Sequence, residues 1–197
     1  MELLLIRHAR PFRTTATEGP ADPSLDPVGA RQAARLSDWL AREEIDAVYT
    51  SPLARARETA APLAVRLGVD PVIDEGVAEW DRDAPAYIPM EELRATGHPW
   101  WRAMAAGDWE LLGVDPEAFG QRVVTAIDAI AARHPSQRVA VVCHGGVINV
   151  YVAEVLGLGR RTFFQPAYTS ISRVLVSRTG VRSLETLNER AHLRDLA

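Results

Sequence analysis

Glu2-Leu3-Leu4-Leu5-Ile6-Arg7-His8-Ala9 opens the chain with an apolar run that stops at an arginine and a histidine. The uninterrupted run predicts a buried strand over Glu2–Arg7. A strand with a purely structural role has no use for that pair at its end, whereas a phosphate site does. Imidazole is a nucleophile, and guanidinium grips phosphate oxygens with two prongs. Two later segments repeat the arrangement, each with a phosphate-binding side chain at or just after a strand end. They are Thr50-Ser51-Pro52-Leu53-Ala54-Arg55-Ala56-Arg57-Glu58-Thr59-Ala60 and Val141-Val142-Cys143-His144-Gly145-Gly146.

Outward from this strand the chain alternates. A polar loop with prolines at 11, 20, 23 and 27 leads to an amphipathic helix over about Val28–Glu43, with Ala33, Leu36 and Leu40 on one stripe. A short strand over Asp46–Thr50 precedes a helix that begins at Ser51-Pro52, with serine as cap and proline at the first helical position. It runs to about Leu67 and stops at Gly68, and a short strand near Pro71–Ile73 follows. Arg55 then falls in the first helical turn, where backbone N–H groups add to its pull on an anion. Further elements are a helix at 116–133, a buried strand over Arg138–Cys143, a helix over Gly146–Leu156 and a strand over Ser170–Ser177. Strands alternating with helices predict one α/β domain spanning 1–197, a mostly parallel sheet with helices on both faces. Ligands of such sheets sit at the carboxyl ends of strands, where Arg7-His8 and His144 fall.

Residues 75–116 break this alternation. They hold four of the five tryptophans, Trp80, Trp100, Trp101 and Trp109, and several prolines. This reads as an irregular insertion of loops and short helices. The segment 74–120 carries 11 acids against 3 arginines, within a chain of net charge −4. A net-acidic chain without a basic cluster argues against nucleic-acid binding. All 22 basic residues are arginine, which excludes lysine chemistry. The single cysteine, Cys143, rules out an internal disulfide and points to a reducing compartment. Cys143 reads as a small core residue, and His98, His134 and His192 read as surface residues. Four apolar residues before Arg7 are too few for a signal-peptide core, and no stretch approaches the roughly 20 apolar residues of a membrane span. The expected setting is cytoplasmic, with no membrane partner. A homodimer is open, since no face is marked for it.

The chain resembles the histidine phosphatase superfamily in its phosphoglycerate mutase-like branch. The likeness rests on Arg7-His8-Ala9, on Leu25-Asp26-Pro27-Val28-Gly29 with Gln32-Ala33, and on Ser51-Pro52-Leu53-Ala54-Arg55-Ala56 with Thr59-Ala60. His144-Gly145-Gly146 and Tyr168-Thr169-Ser170-Ile171-Ser172 complete it. The resemblance implies that His8 is the nucleophile that becomes a phosphohistidine. It implies that Arg7, Arg55 and His144 bind the transferring phosphoryl group. Phosphoryl transfer spreads charge over three equatorial oxygens, so cationic donors and positioning supply the catalysis. The route needs no metal or cofactor, and the sequence shows no metal-ligand spacing.

The family places a proton donor in a Leu-x-Glu pattern, which Val77-Ala78-Glu79 fits. Glu79 is the expected acid, desolvated by packing beside Trp80, with Glu75 and Asp81 as competitors. The family's usual glycine after the histidine is Ala9 here, which is tolerable with negative φ. Short members resembling protein-phosphohistidine phosphatases also read Arg-His-Ala. Arg10 and Arg13 are candidates for contacting a second anionic group of the substrate. The expected activity is hydrolysis of small phosphate monoesters. The alternatives are phosphoglycerate mutase-type transfer, or a phospho-ligand-binding module that kept the pocket without turnover.

Overall fold

The computed structural model describes residues 1–109 and 111–194. In chain order its first elements are β1 (Glu2–Arg7), β2 (Thr14–Thr15), α1 (Pro27–Leu40), β3 (Ala47–Thr50), α2 (Ala54–Leu67) and β4 (Val72–Ile73). The insertion supplies β5 (Ala86–Tyr87), α3 (Met90–Ala95) and α4 (Pro99–Ala106). The remainder is α5 (Pro116–Arg133), β6 (Arg138–Cys143), α6 (Gly145–Leu156), β7 (Ile171–Val176) and β8 (Arg182–Glu189). Single 3-10 turns lie at Glu75–Val77 and Ala191–Leu193.

Six strands form one sheet in the order β4-β3-β6-β1-β7-β8. The first four run parallel, and β7 and β8 are antiparallel additions at one edge. Successive side chains of a strand face opposite ways, and here both faces are covered. Leu3 and Leu5 of β1, with Val139, Val141 and Cys143 of β6, pack against α5 and α6. Leu4 and Ile6, with Ala140 and Val142, pack against α1 and α2. This explains the unbroken apolar run of β1: no position on it faces water.

The helix boundaries follow local chemistry. Asp26 caps α1 by accepting the Gly29 N–H at 2.7 Å, with Pro27 at the first helical position. Asp115 caps α5 in the same way, accepting from Glu117 and Ala118 ahead of Pro116. Gly68 closes α2 at φ +67°, a conformation that glycine enters without steric cost. The α1 helix stops at Leu40, short of the expected Glu43.

Three features depart from the sequence reading. The α2 helix begins at Ala54, and its cap position, Leu53, makes no side-chain bond. The Ala54 N–H is taken instead by the carboxylate of Asp22 at 2.9 Å, so it does not add to the pull of Arg55 on an anion. Strand β8 lies outside the sequence reading because Arg182–Glu189 carries only two apolar residues, Leu184 and Leu187, three positions apart rather than two, along a sheet edge. His192 is buried rather than on the surface, its Nε2 lying 3.1 Å from Thr169 Oγ1.

Residues 75–116 are irregular, as their composition predicts, and one of their ties to the rest of the chain is a short ribbon. Strand β5 pairs antiparallel with β2, matching Thr14 to Tyr87 and Thr15 to Ala86. The loop after His8 and the insertion thus share a two-stranded ribbon. Trp80, Trp100, Trp101 and Trp109 turn toward one cavity of about 340 Å³, which Arg7, His8 and Arg55 also line.

Candidate active site

Strand register brings the site together. Arg7 of β1 lies opposite Cys143 of β6, and Thr50 of β3 lies opposite Val142. His8, Ser51 and His144 each follow one of these strand ends, so the parallel sheet delivers all three to the same edge. The His8 N–H continues the ladder to Cys143 O at 2.9 Å, and the Ser51 N–H continues it to Val142 O at 3.0 Å. The ring centroids of His8 and His144 are 5.1 Å apart.

His8 Nδ1 lies 2.8 Å from the carbonyl oxygen of Ala9. A carbonyl only accepts, so Nδ1 carries the ring proton and Nε2 keeps its lone pair. Burial, then the positive charges of Arg55 and Arg7, hold the His8 pKa well below its ordinary value. The imidazole is therefore neutral, with Nε2 as the free nucleophilic atom.

The Ala9 backbone is fixed from behind, its N–H donating to Thr59 Oγ1 at 2.9 Å. Ala9 is not among the residues with positive φ, so its β-carbon costs nothing in the backbone. Thr169 does have positive φ, at 53°, an uncommon state for a β-branched residue. Its N–H donates to Arg7 O at 3.0 Å, bracing the same loop.

Each arginine is gripped at one edge and left free at another. Arg7 donates from one terminal nitrogen to Pro166 O at 2.7 Å and lies 3.9 Å from the Tyr168 ring centre. Arg55 donates to Asp81 Oδ1 at 2.7 Å and lies 4.6 Å from the Tyr87 ring centre. Burial is the largest single influence and disfavours the charge of Arg55, but Asp81, Tyr87 and Glu79 together outweigh it and raise the pKa above the ordinary arginine value. His144 Nε2 sits 2.7 Å from Ser51 Oγ. That hydroxyl accepts the Leu53 N–H at 3.3 Å, and among the described residues His144 Nε2 is the one acceptor within reach of its own proton, which places the ring proton of His144 on Nδ1.

Five buried side-chain polar atoms among the described residues lack a hydrogen-bond partner. Three of them are Arg7 Nε, Arg55 Nε and His144 Nδ1. Buried polar groups without partners are rare, and three such donors near one neutral imidazole have the chemistry to hold an anion.

Glu79 also lines this cavity. Its two carboxyl oxygens accept the Gly146 N–H at 2.8 Å and the Trp80 N–H at 3.1 Å. Burial, then the nearby charge of Asp81, push its pKa up to about 7. Gly146 is the glycine this packing requires, since a β-carbon there would stand 2.4 Å from Glu79 Oε1. At Gly145 the nearest atom would be Arg7 Nε at an ordinary 3.8 Å. The guanidinium of Arg122 on α5 donates to the carbonyls of Glu75, Gly76 and Ala78, clamping the turn that carries Glu79.

Of the sequence candidates, His8, Arg7, Arg55, His144 and Glu79 come together. Asp81 lines the cavity too, but it is engaged with Arg55. Glu75 is largely exposed and paired with Arg82. Arg10 and Arg13 are not among the residues that line the cavity. Arg10 is held by Asp26 at 2.6 Å, and Arg13 pairs with Glu92. Ser51 was read as a helix cap, whereas its hydroxyl fixes the proton of His144. Arg122, Tyr87 and Asn149 carried no local signal, because each acts through partners far away in sequence.

A family model described as the histidine phosphatase superfamily (branch 1) matches residues 3–190. A metal-independent phosphoserine phosphatase of Arabidopsis thaliana is 30% identical over 75% of this chain and 66% of its own. Phosphoserine phosphatase 1 of Hydrogenobacter thermophilus is 25% identical over 83% of this chain and 80% of its own. The crystal structure of an Entamoeba histolytica phosphoserine phosphatase with 3-phosphoglyceric acid superposes with a TM-score of 0.77. It is 22% identical and covers 98% of each chain, so it speaks for the fold.

Proposed function

The chain belongs to the histidine phosphatase superfamily, and from that premise we propose that it hydrolyses phosphate monoesters of small metabolites through a phosphohistidine formed on His8 Nε2. The observation that carries this reading is the ring of open donors, Arg7 Nε, Arg55 Nε and His144 Nδ1, around a neutral His8 whose Nε2 is free.

The Nε2 lone pair attacks phosphorus in line, and the bond between phosphorus and the ester oxygen breaks. The three donors meet the equatorial oxygens, where charge accumulates. Glu79, protonated below about pH 7, delivers its proton to the departing alkoxide. In the second half the Glu79 carboxylate takes a proton from water, and the oxygen attacks the phosphohistidine. The P–N bond then breaks, its electrons return to Nε2, and inorganic phosphate leaves. Asp81 serves Arg55 rather than the leaving group, and Glu75 stays at the surface. The lone buried Cys143 supports a cytoplasmic setting for this chemistry.

The test is phosphate release from a panel of monoesters with chelator present, wild type beside His8→Ala, with acid-labile phosphoprotein trapped by rapid quench. Release and trapped phosphohistidine in the wild type alone are expected. Undiminished release by His8→Ala would overturn the mechanism. Migration of phosphate within a phosphoglycerate without release would replace hydrolysis with mutase chemistry.

A further inference from the structure

Beyond the phosphoryl end, the cavity changes character. Its walls are built from Trp80, Leu93, Trp100, Met104, Phe163 and Phe164. Outside the catalytic group, Arg160 is the one formally charged side chain among the described lining residues. Arg160 stands at the exposed rim and donates to Ala105 O at 2.6 Å. Thr162 and Gln165 are uncharged. Asn149 has nothing to offer a ligand, because its amide is spent on the backbone. It donates to Gly145 O and Phe164 O and accepts from the Phe163 and Phe164 N–H groups. A polar side chain is thus consumed in fixing an aromatic wall.

Such a cavity is poorly matched to the ester of an amino acid or a sugar. Among the described lining residues beyond the phosphoryl group's own contacts, an ammonium group finds one carboxylate, Asp81, already bonded to Arg55, and a carboxylate finds one cation, the rim arginine. Sugar hydroxyls would lose water against indole and phenyl faces, with Thr162 and Gln165 as the few uncharged side-chain partners along those walls. An apolar group gains wherever it displaces water from those faces.

We propose that the substrate is the phosphate monoester of a long-chain or aryl alcohol, with its apolar leaving group seated between the tryptophan-rich insertion and the Phe163–Phe164 wall. This rests on the phosphatase reading above. Trp100 and Met104 on α4 and Phe164 after α6 are then specificity-determining residues. The phosphoryl end is common to any ester, and the walls select among alcohols.

The experiment measures His8-dependent phosphate release from n-alkyl phosphates, ethyl through octyl, below their micelle concentrations, beside L-phosphoserine and glucose 6-phosphate. Each methylene buried should raise kcat/KM about fourfold until the cavity is filled. The rise should appear in KM, because uniform binding lowers KM without changing kcat. Octyl phosphate should exceed phosphoserine by about a hundredfold or more. Trp100→Ala should flatten the dependence on chain length. His8-dependent release that ignores chain length, or that favours phosphoserine or glucose 6-phosphate, overturns the inference and leaves the phosphatase reading standing. Absence of His8-dependent release from every ester overturns both.

Discussion

Gly146→Ala isolates the part played by Glu79 with a single methyl group. The new β-carbon would stand 2.4 Å from Glu79 Oε1 and 3.0 Å from both Glu79 Cδ and Trp80 Cδ1. Non-bonded carbon contacts settle at about 3.5–4.0 Å, so the carboxyl must retreat by roughly 1 Å. Overpacking of this kind costs about 1–3 kcal/mol. Alanine in place of glycine returns about 1 kcal/mol to the helix, and Gly146 is not at positive φ. The net loss of about 0–2 kcal/mol leaves the protein folded.

The catalytic effect of the same methyl is larger. A misplacement of about 1 Å costs roughly 10²-fold in rate. That loss should fall on substrates whose leaving oxygen needs a proton. An alkyl phosphate should lose about 10²-fold in kcat/KM, which reports the phosphorylation half alone, within the span attributed to general acids. With 4-nitrophenyl phosphate, whose nitrophenolate departs unprotonated, kcat/KM should hold. Steady-state kinetics on the two esters, with a thermal melt to confirm folding, decide the matter. Equal loss on both substrates would refute the assignment of Glu79 as proton donor. No loss on either would refute the packing argument.

The remaining predictions concern protons and positioning. For an alkyl phosphate, kcat/KM should fall as pH rises through about 7, because Glu79 is protonated below that value and loses its proton above it. The acid side should stay high, since His8 remains neutral well below its ordinary value, and Glu79→Gln should abolish the alkaline limb. Stability should carry the same sign: the raised Glu79 pKa gives a contribution fully present below pH 4.5 and lost as pH rises to about 7. Denaturant titrations across that range, read as wild type minus Glu79→Gln so that the opposite contribution of the buried neutral His8 and His144 cancels, should show the difference shrinking by roughly 3 kcal/mol, and a flat difference would refute the buried acid. Ser51→Ala leaves His144 Nε2 without its partner, costing about 1–3 kcal/mol of stability. The His144 proton is then free to change nitrogen, so kcat should fall on alkyl and aryl esters alike. Arg122→Met releases three carbonyls of the Glu79 turn and should impair alkyl esters more than 4-nitrophenyl phosphate. Equal impairment would assign Arg122 to stability alone.

Much of the fold was legible because its signals are short-range. The strand over Arg138–Cys143 and the helix over 116–133 coincide with β6 and α5, since apolar runs, Asp-Pro starts and glycine stops act within a few residues. The edge strand β8 leaves little trace in the sequence because its side chains are at most half-buried, and two leucines three positions apart make no period-two apolar pattern. Ser51-Pro52 misled for the opposite reason. The pair is a sound local cap, but a buried histidine 93 residues away took the hydroxyl, and Asp22 took the helix amide. Arg10 and Arg13 were likewise drawn into ion pairs with Asp26 and Glu92, which folding brings beside them.

By itself the sequence determined the chemistry available: a histidine and an arginine ending one buried strand, another histidine ending a second, and an arginine opening a helix. Side-chain type and strand-end position are local properties, and they suffice to mark a phosphoryl site. Only the tertiary structure decided which atom of each group is free. Ser51, 93 residues from His144, assigns that ring's proton, and Gly146, 67 residues from Glu79, holds the acid. Hydrogen bonds across such distances are set by sheet register and helix packing. A buried polar atom takes whichever partner the fold brings within 3 Å, and no local pattern records which that is.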